Sequence, residues 1–221
     1  MSAVAWPRPF ELLARLLVAA ALVLWPAHVF QRALVTPLLP LLGDAVVTFD
    51  DSLRLISVDV VSEPSGEVVR FRVNLAHPVE VAGYTVYPFG WGSAPRGGYQ
   101  VRLTLGGVLQ YPAFVLIAIL AWPAKRAAEY GLRLFAAVPL MAVLLLVDTP
   151  STVLAEVWGE IHAGIDARGF QPLMVWSRFL MGGGGLVLAL LCAALAVVPA
   201  AQWRNARSRR IARHRSASAG A

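Results

Sequence analysis

Hydrophobic and polar positions alternate over one part of this chain and merge into long apolar runs almost everywhere else. The alternation is clearest from Val68 to Leu75, where Val69, Phe71, Val73 and Leu75 fall on one side and Arg70, Arg72 and Asn74 on the other. A period of two is the signature of a half-buried β-strand. Leu53 to Val61 precedes it, separated by Ser62-Glu63-Pro64-Ser65-Gly66, whose proline and glycine favour a turn. The two segments therefore predict a hairpin, and the break in alternation at Leu55-Ile56 predicts a bulge in its first strand. Val79 to Tyr87 and Tyr99 to Leu105 read as further strands, linked by the loop Pro88 to Gly98, which is rich in glycine, proline and aromatic residues. The stretch from Asp44 to Leu105 is thus expected to form a small antiparallel meander of four or five strands. About 60 residues bury too little core to be comfortable alone. Its apolar face is expected to rest on a membrane surface or on a partner.

The apolar runs on either side of this insert have membrane-spanning length. Leu12 to Phe30 reaches about 28 Å at 1.5 Å per residue, enough for the hydrocarbon core. Trp25-Pro26-Ala27-His28 is not a small-x-small cleavage site, which favours a retained helix over a signal peptide. Gln31 to Gly43 stays apolar but carries Pro37 and Pro40, so a kinked extension or an interfacial segment is expected. A second span runs from about Leu103 to Trp122, a third from Leu132 to Val147, and a fourth from about Trp176 to Val198. Thr149-Pro150 looks like the start of a separate helix, with a capping hydroxyl followed by proline in the first turn. On that helix Val153, Leu154, Val157, Trp158, Ile161 and Ile165 share one arc, and Thr152, Glu156, Glu160 and Asp166 the other. This predicts an amphipathic helix on the outer surface at about 150–166. The fourth span contains Gly182-Gly183-Gly184-Gly185, each glycine costing about 1 kcal/mol relative to alanine. Gly182 and Gly185, with Ala189 and Ala193, are read as a helix-packing surface, with a functional break or hinge in the glycine run as the alternative.

Composition agrees with a membrane protein: 58% of the 221 residues are hydrophobic and 14% charged, with mean hydropathy +0.65. The formal net charge of +6 equals the six arginines of the tail, Arg204, Arg207, Arg209, Arg210, Arg213 and Arg215. Placed directly after an apolar run, this tail fits a positive-inside anchor better than a nucleic-acid patch. With Lys125 and Arg126 also cytoplasmic, four spans put both termini inside, and the strand insert and the Asp148 to Arg178 loop outside. The expected fold is therefore a membrane α-helical protein of four transmembrane helices with a small antiparallel β insert on the extracytoplasmic side. Its divisions are 1–43, 44–105, 106–201 and a basic cytoplasmic tail at 202–221.

The candidate chemistry is sparse. Glu156, Glu160, His162 and Asp166 are residue types that bind metal or exchange protons, but Glu160 and His162 point roughly 160° apart on a helix. Only His162 and Asp166, at i and i+4, are neighbours. A single cysteine, Cys192, lies among leucines and alanines without a polar neighbour to activate it. No cofactor is implied. Arg70, Arg72 and Arg102 could form a basic outer face that receives an anionic group or a chain terminus, and Trp91 in the glycine-rich loop is a candidate recognition residue.

One N-terminal span, a strand-rich external insert, a second span led by Gln110-Tyr111-Pro112 and ending before a basic turn, and two further spans together make a recognisable layout. It resembles the small membrane proteins that accompany bacterial exosortases, especially the exosortase H-associated type, and the resemblance covers most of the chain. It implies a multi-pass protein of the bacterial cytoplasmic membrane that assists protein sorting in the cell envelope. Exosortases themselves are cysteine transpeptidases needing Cys, Arg and His at the outer face, and Cys192 falls in the inner half of the last span. The implied role is therefore non-catalytic, with lipids and another integral membrane protein or a secreted substrate as partners. A membrane hydrolase using the external carboxylates is the alternative, and a small transporter subunit the third.

Overall fold

The computed structural model describes residues 9–64, 66–90, 98–124, 126–165 and 172–197. The chain begins with α1 (Pro9–Val29), α2 (Gln31–Val35), a 3-10 turn (Thr36–Leu38) and α3 (Leu39–Phe49). Pro37 and Pro40 fall in the first turns of the 3-10 segment and of α3. A proline there forfeits no hydrogen bond that the helix would have used. The kinked extension expected after the first span is therefore helical, and it continues to Phe49, so residues 44–49 belong to a helix and the strands begin only at Leu53.

Among the described residues five strands follow: β1 (Leu53–Glu63), β2 (Gly66–Leu75), β3 (Val79–Val81), β4 (Tyr84–Val86) and β5 (Tyr99–Thr104). Instead of one meander they make a three-stranded antiparallel sheet in the order β1-β2-β5 and a separate β3-β4 hairpin. The register of β1 on β2 shifts between Leu55 and Ser57, where the broken alternation predicts a bulge. The Val79 to Tyr87 segment is split by a tight turn at Ala82-Gly83, both with positive φ. Thr104 ends β5 and caps α4 (Leu105–Ala121), its hydroxyl accepting from the Gly107 amide at 3.1 Å.

After a short turn comes α5 (Ala127–Gly164), 38 residues without a break. Thr149-Pro150 does not start a new helix: the third span and the surface helix expected after it are one element. Thr149, Pro150 and Ser151 are all buried, and the Ser151 hydroxyl ties back to the Asp148 carbonyl at 2.9 Å. Packing on both sides of the proline outweighs the local stop signal, which is a weak preference by comparison. The chain then enters α6 (Pro172–Phe179), a π turn (Leu180–Gly184) and a last helix, α7 (185–197).

At about 57 Å, α5 is far longer than a hydrocarbon core, and its two halves serve two cores. Its first half packs with α4 and α7 through Val115, Ile119, Ala137, Leu144, Ala189, Ala193 and Ala196. Ala19 of α1 joins Ile117 and Ala121 of α4 in a smaller cluster. Its second half enters a larger core with α3 and the sheet: Leu42 and Val46, Val69, Phe71, Val73 and Leu75, Val101, and Val153, Leu154, Val157 and Ile161. The arc read as membrane-facing thus faces the sheet. The apolar side of the insert is covered by the chain's own α3 and α5, rather than by lipid or a partner. The Trp158 indole donates to Asp50 Oδ2 at 2.7 Å, fastening α5 to the α3–β1 connection.

Among the described residues, four helical segments could by length and composition cross a membrane: Phe10–Val29, Gln31–Phe49, Ala127–Gly164 and Pro172–Val197. This set differs from the expected one, because α4 has 17 residues, at the lower limit for crossing, whereas Gln31–Phe49 qualifies. Yet Val35, Leu39, Leu42 and Val46 turn into the core shared with the sheet. The far end of the bundle is closed by Arg133, only 4% exposed. Its guanidinium donates to the Trp122 and Pro123 carbonyls at the end of α4, at 2.8 and 3.2 Å, and lies 3.7 Å from Glu129. Lys125 and the tail 202–221 lie outside the described residues, so the positive-inside argument rests on sequence.

Candidate functional site

Strand pairing brings two of the three candidate arginines into direct opposition. Arg70 of β2 faces Arg102 of β5 and also Asp59 of β1, while Arg72 faces Gln100 and Ser57. All lie on the side of the sheet turned away from α3 and α5, since Val69, Phe71 and Val73 occupy the inner side. Two of the charges are neutralised locally: Arg70 bonds Asp59 at 2.5 Å, and Arg102 lies 3.4 Å from Glu63. Arg72 is exposed, and no carboxylate lies within ion-pairing distance of it among the described residues. Arg32 of α2 reaches Glu67 at 3.1 Å, joining the β1–β2 turn to the helices below it. The outer face therefore carries a graded charge, balanced at the bundle end and positive at Arg72.

Asn74, on the same face and expected to be solvated, is only 2% exposed. Its amide donates to the Phe89 carbonyl at 3.1 Å, and its side-chain oxygen accepts from the Phe89 and Leu75 amides, both at 2.9 Å. This pins the segment after the β3–β4 hairpin across the end of the sheet, where Phe89 stacks edge-on against Tyr99 at 5.0 Å. Nothing in the alternation reveals this role, because asparagine and arginine are equally polar in pattern. Replacing Asn74 by alanine should cost about 1–3 kcal/mol by orphaning the Phe89 amide and carbonyl. Hydrogen exchange should show faster exchange at residues 86–90 and an unchanged β1–β2 core; equal protection at Phe89 would contradict the pinning. Trp91 lies outside the described residues.

Comparison with known protein families, curated proteins and solved structures finds no match to this chain.

The acidic residues of the second half of α5 are spread out. Glu156 and Glu160 are exposed one turn apart and line an open groove of about 520 Å³ between α5 and α6. His162 turns elsewhere: its Nδ1 sits 2.7 Å from the Trp158 carbonyl, and its ring packs edge-on against the indole. Asp166 lies outside the described residues. Among the described residues no three His, Cys, Asp or Glu side chains gather as a metal set would. Tyr99, whose phenol is pushed above its ordinary value by burial and by the Glu160 carboxylate, marks where the inner side of the sheet approaches the groove.

The glycine run divides. Gly183 has φ +109°, so the helix breaks there, and a side chain at Gly182 would meet nothing within 4 Å. Gly182 is therefore not a packing position. A Cβ at Gly185 would fall 2.1 to 2.3 Å from Cζ, Cε1 and the hydroxyl oxygen of Tyr111, and Ala189 and Ala193 continue the buried stripe below it. The Tyr111 hydroxyl donates at 3.1 Å to the Leu180 carbonyl, which also receives the Gly185 amide across the π turn. Cys192 is half-buried in this lower bundle.

Proposed function

We propose that this protein is a non-catalytic accessory protein of the bacterial cell envelope. Its extracytoplasmic sheet would present a basic face to a partner membrane protein or to a secreted chain, in an exosortase-like sorting system. The observation that carries this reading is Arg72: an exposed guanidinium without a carboxylate partner among the described residues, on a sheet held rigidly from behind by α3 and α5. A guanidinium presents five donors in a planar fork suited to a carboxylate, so a chain terminus or acidic segment is the natural complement. β1 and β5 have no further strand beyond them among the described residues. An extended segment could therefore add alongside either edge while its acidic group reaches the arginine face.

The test is a photocrosslinking side chain at position 72 in the full-length protein in its native membrane. A discrete protein adduct is expected there. Arg72→Glu, with the crosslinker moved to position 100, should lower adduct yield about tenfold, the effect of losing one charge-assisted contact. Recovery of lipid adducts only, as from a crosslinker at position 17, would sink the reading.

A further inference from the structure

The groove between α5 and α6 has an internal charge arrangement that the partner-binding reading does not use. One wall carries Glu156 and Glu160, and the other carries Arg178, Met174 and Met181. None of the three charges has a salt-bridge partner among the described residues, and all three side chains are exposed. Ser177, only 5% exposed, also lines the groove. Its hydroxyl is a donor and acceptor on the lining that a bound polar group can use. Two carboxylates, one guanidinium, a hydroxyl and two flexible thioethers make a lining for a zwitterion with an apolar continuation.

The groove's height narrows the choice. Arg133 closes the far end of the bundle against the end of α4. Glu156 stands 23 positions further along the unbroken helix α5, roughly 34 Å at 1.5 Å per residue, against a hydrocarbon thickness of about 30 Å. If the bundle spans a membrane, the carboxylates lie at the level of the lipid headgroups on the sheet side. Beside them α6 exposes Val175 and Trp176, and beyond Arg178 the chain exposes Phe179 and Met181, an apolar and aromatic surface that continues toward the acyl chains.

We infer that this groove binds the headgroup of an aminophospholipid: Glu156 and Glu160 receive its primary ammonium, and Arg178 and Ser177 receive its phosphate. A primary ammonium donates three hydrogen bonds and a trimethylammonium none, so the groove discriminates phosphatidylethanolamine from phosphatidylcholine.

The experiment uses the full-length protein exchanged into vesicles containing equal amounts of these two lipids in a phosphatidylglycerol background. Retained lipid is then counted by native mass spectrometry after extraction in mild detergent. Phosphatidylethanolamine should be retained about tenfold over phosphatidylcholine. Glu156→Gln with Glu160→Gln should remove the preference, and Arg178→Gln should lower retention of both lipids. Arg72→Glu, on the sheet face, should leave the preference intact, which separates this inference from the partner reading. Because Glu156, Glu160 and Arg178 are exposed, these variants should fold; an unchanged melting temperature verifies it. Equal retention of the two lipids, a preference unchanged in the double variant, or displacement by soluble phosphoethanolamine as readily as by the lipid would overturn the assignment.

Discussion

Replacing Arg133 by methionine is expected to cost about 3–5 kcal/mol of folding stability, the range for removing one partner from a buried ionic contact. The guanidinium meets two needs at once. It satisfies the Trp122 and Pro123 carbonyls, where α4 ends and acceptors outnumber helical donors. It also sets positive charge beside the buried Glu129 carboxylate. Methionine fills a similar volume but donates nothing, so the carbonyls and the carboxylate stay buried with less compensation. For a chain of this size each kcal/mol is worth roughly 2–4 °C. The melting temperature in detergent should therefore fall by about 6 °C at least. Adding Glu129→Gln should recover part of the loss, since it removes the carboxylate that the guanidinium lies beside. Arg133 Nε is itself without a partner, so the native cluster is imperfect and the double variant has less to lose. A single variant that melts with the wild type would show that the cluster does not hold the far end of the bundle.

The second large effect belongs to Gly185. Valine there would place Cβ inside van der Waals contact of the Tyr111 ring. Tyr111 cannot simply rotate away, because its hydroxyl holds the Leu180 carbonyl where the backbone breaks at Gly183. Overpacking of this kind costs about 1–3 kcal/mol and more when the neighbour is fixed. Gly185→Val is therefore expected to lower the melting temperature by several degrees and to separate α7 from α4. Tyr111→Ala removes the obstacle, and the two substitutions together should be less damaging than the sum of their separate effects. A double-mutant cycle measures this coupling. Additive losses would show that α4 and α7 do not meet at this pair. The same valine at Gly182, where nothing is near, should be far milder.

The structure joins these two sites to the outer sheet through α5. One helix packs in the lower bundle with its first half and against the sheet with its second. The sheet therefore does not hang from flexible linkers, and the α5–α6 groove lies along the second half of that same helix. A partner bound at Arg72 and a lipid bound at Glu156 would act on opposite sides of the same module.

Alternation and run length were enough to determine the elements with regular patterns. The β1–β2 hairpin, its bulge at Leu55, the strand at Tyr99–Thr104, the apolar character of four long segments and the inward arc from Val153 to Ile165 all follow from local periodicity, since each reports which side of an element is buried. The placement of Arg70, Arg72 and Arg102 on one face follows from the same period. What covers a buried face is a different question. The sequence shows that one side of the sheet and one side of the helix after Asp148 are apolar, but only the tertiary structure decides that the two cover each other and so remove the need for an external surface. The same packing carries α5 through Thr149-Pro150, because burial on both sides outweighs a local stop signal. It also buries Asn74, whose partners lie 15 positions away at Phe89, and assigns Gly183 to a break and Gly185 to a contact. Identical residues in one run acquire different roles when a distant tyrosine comes to rest against only one of them.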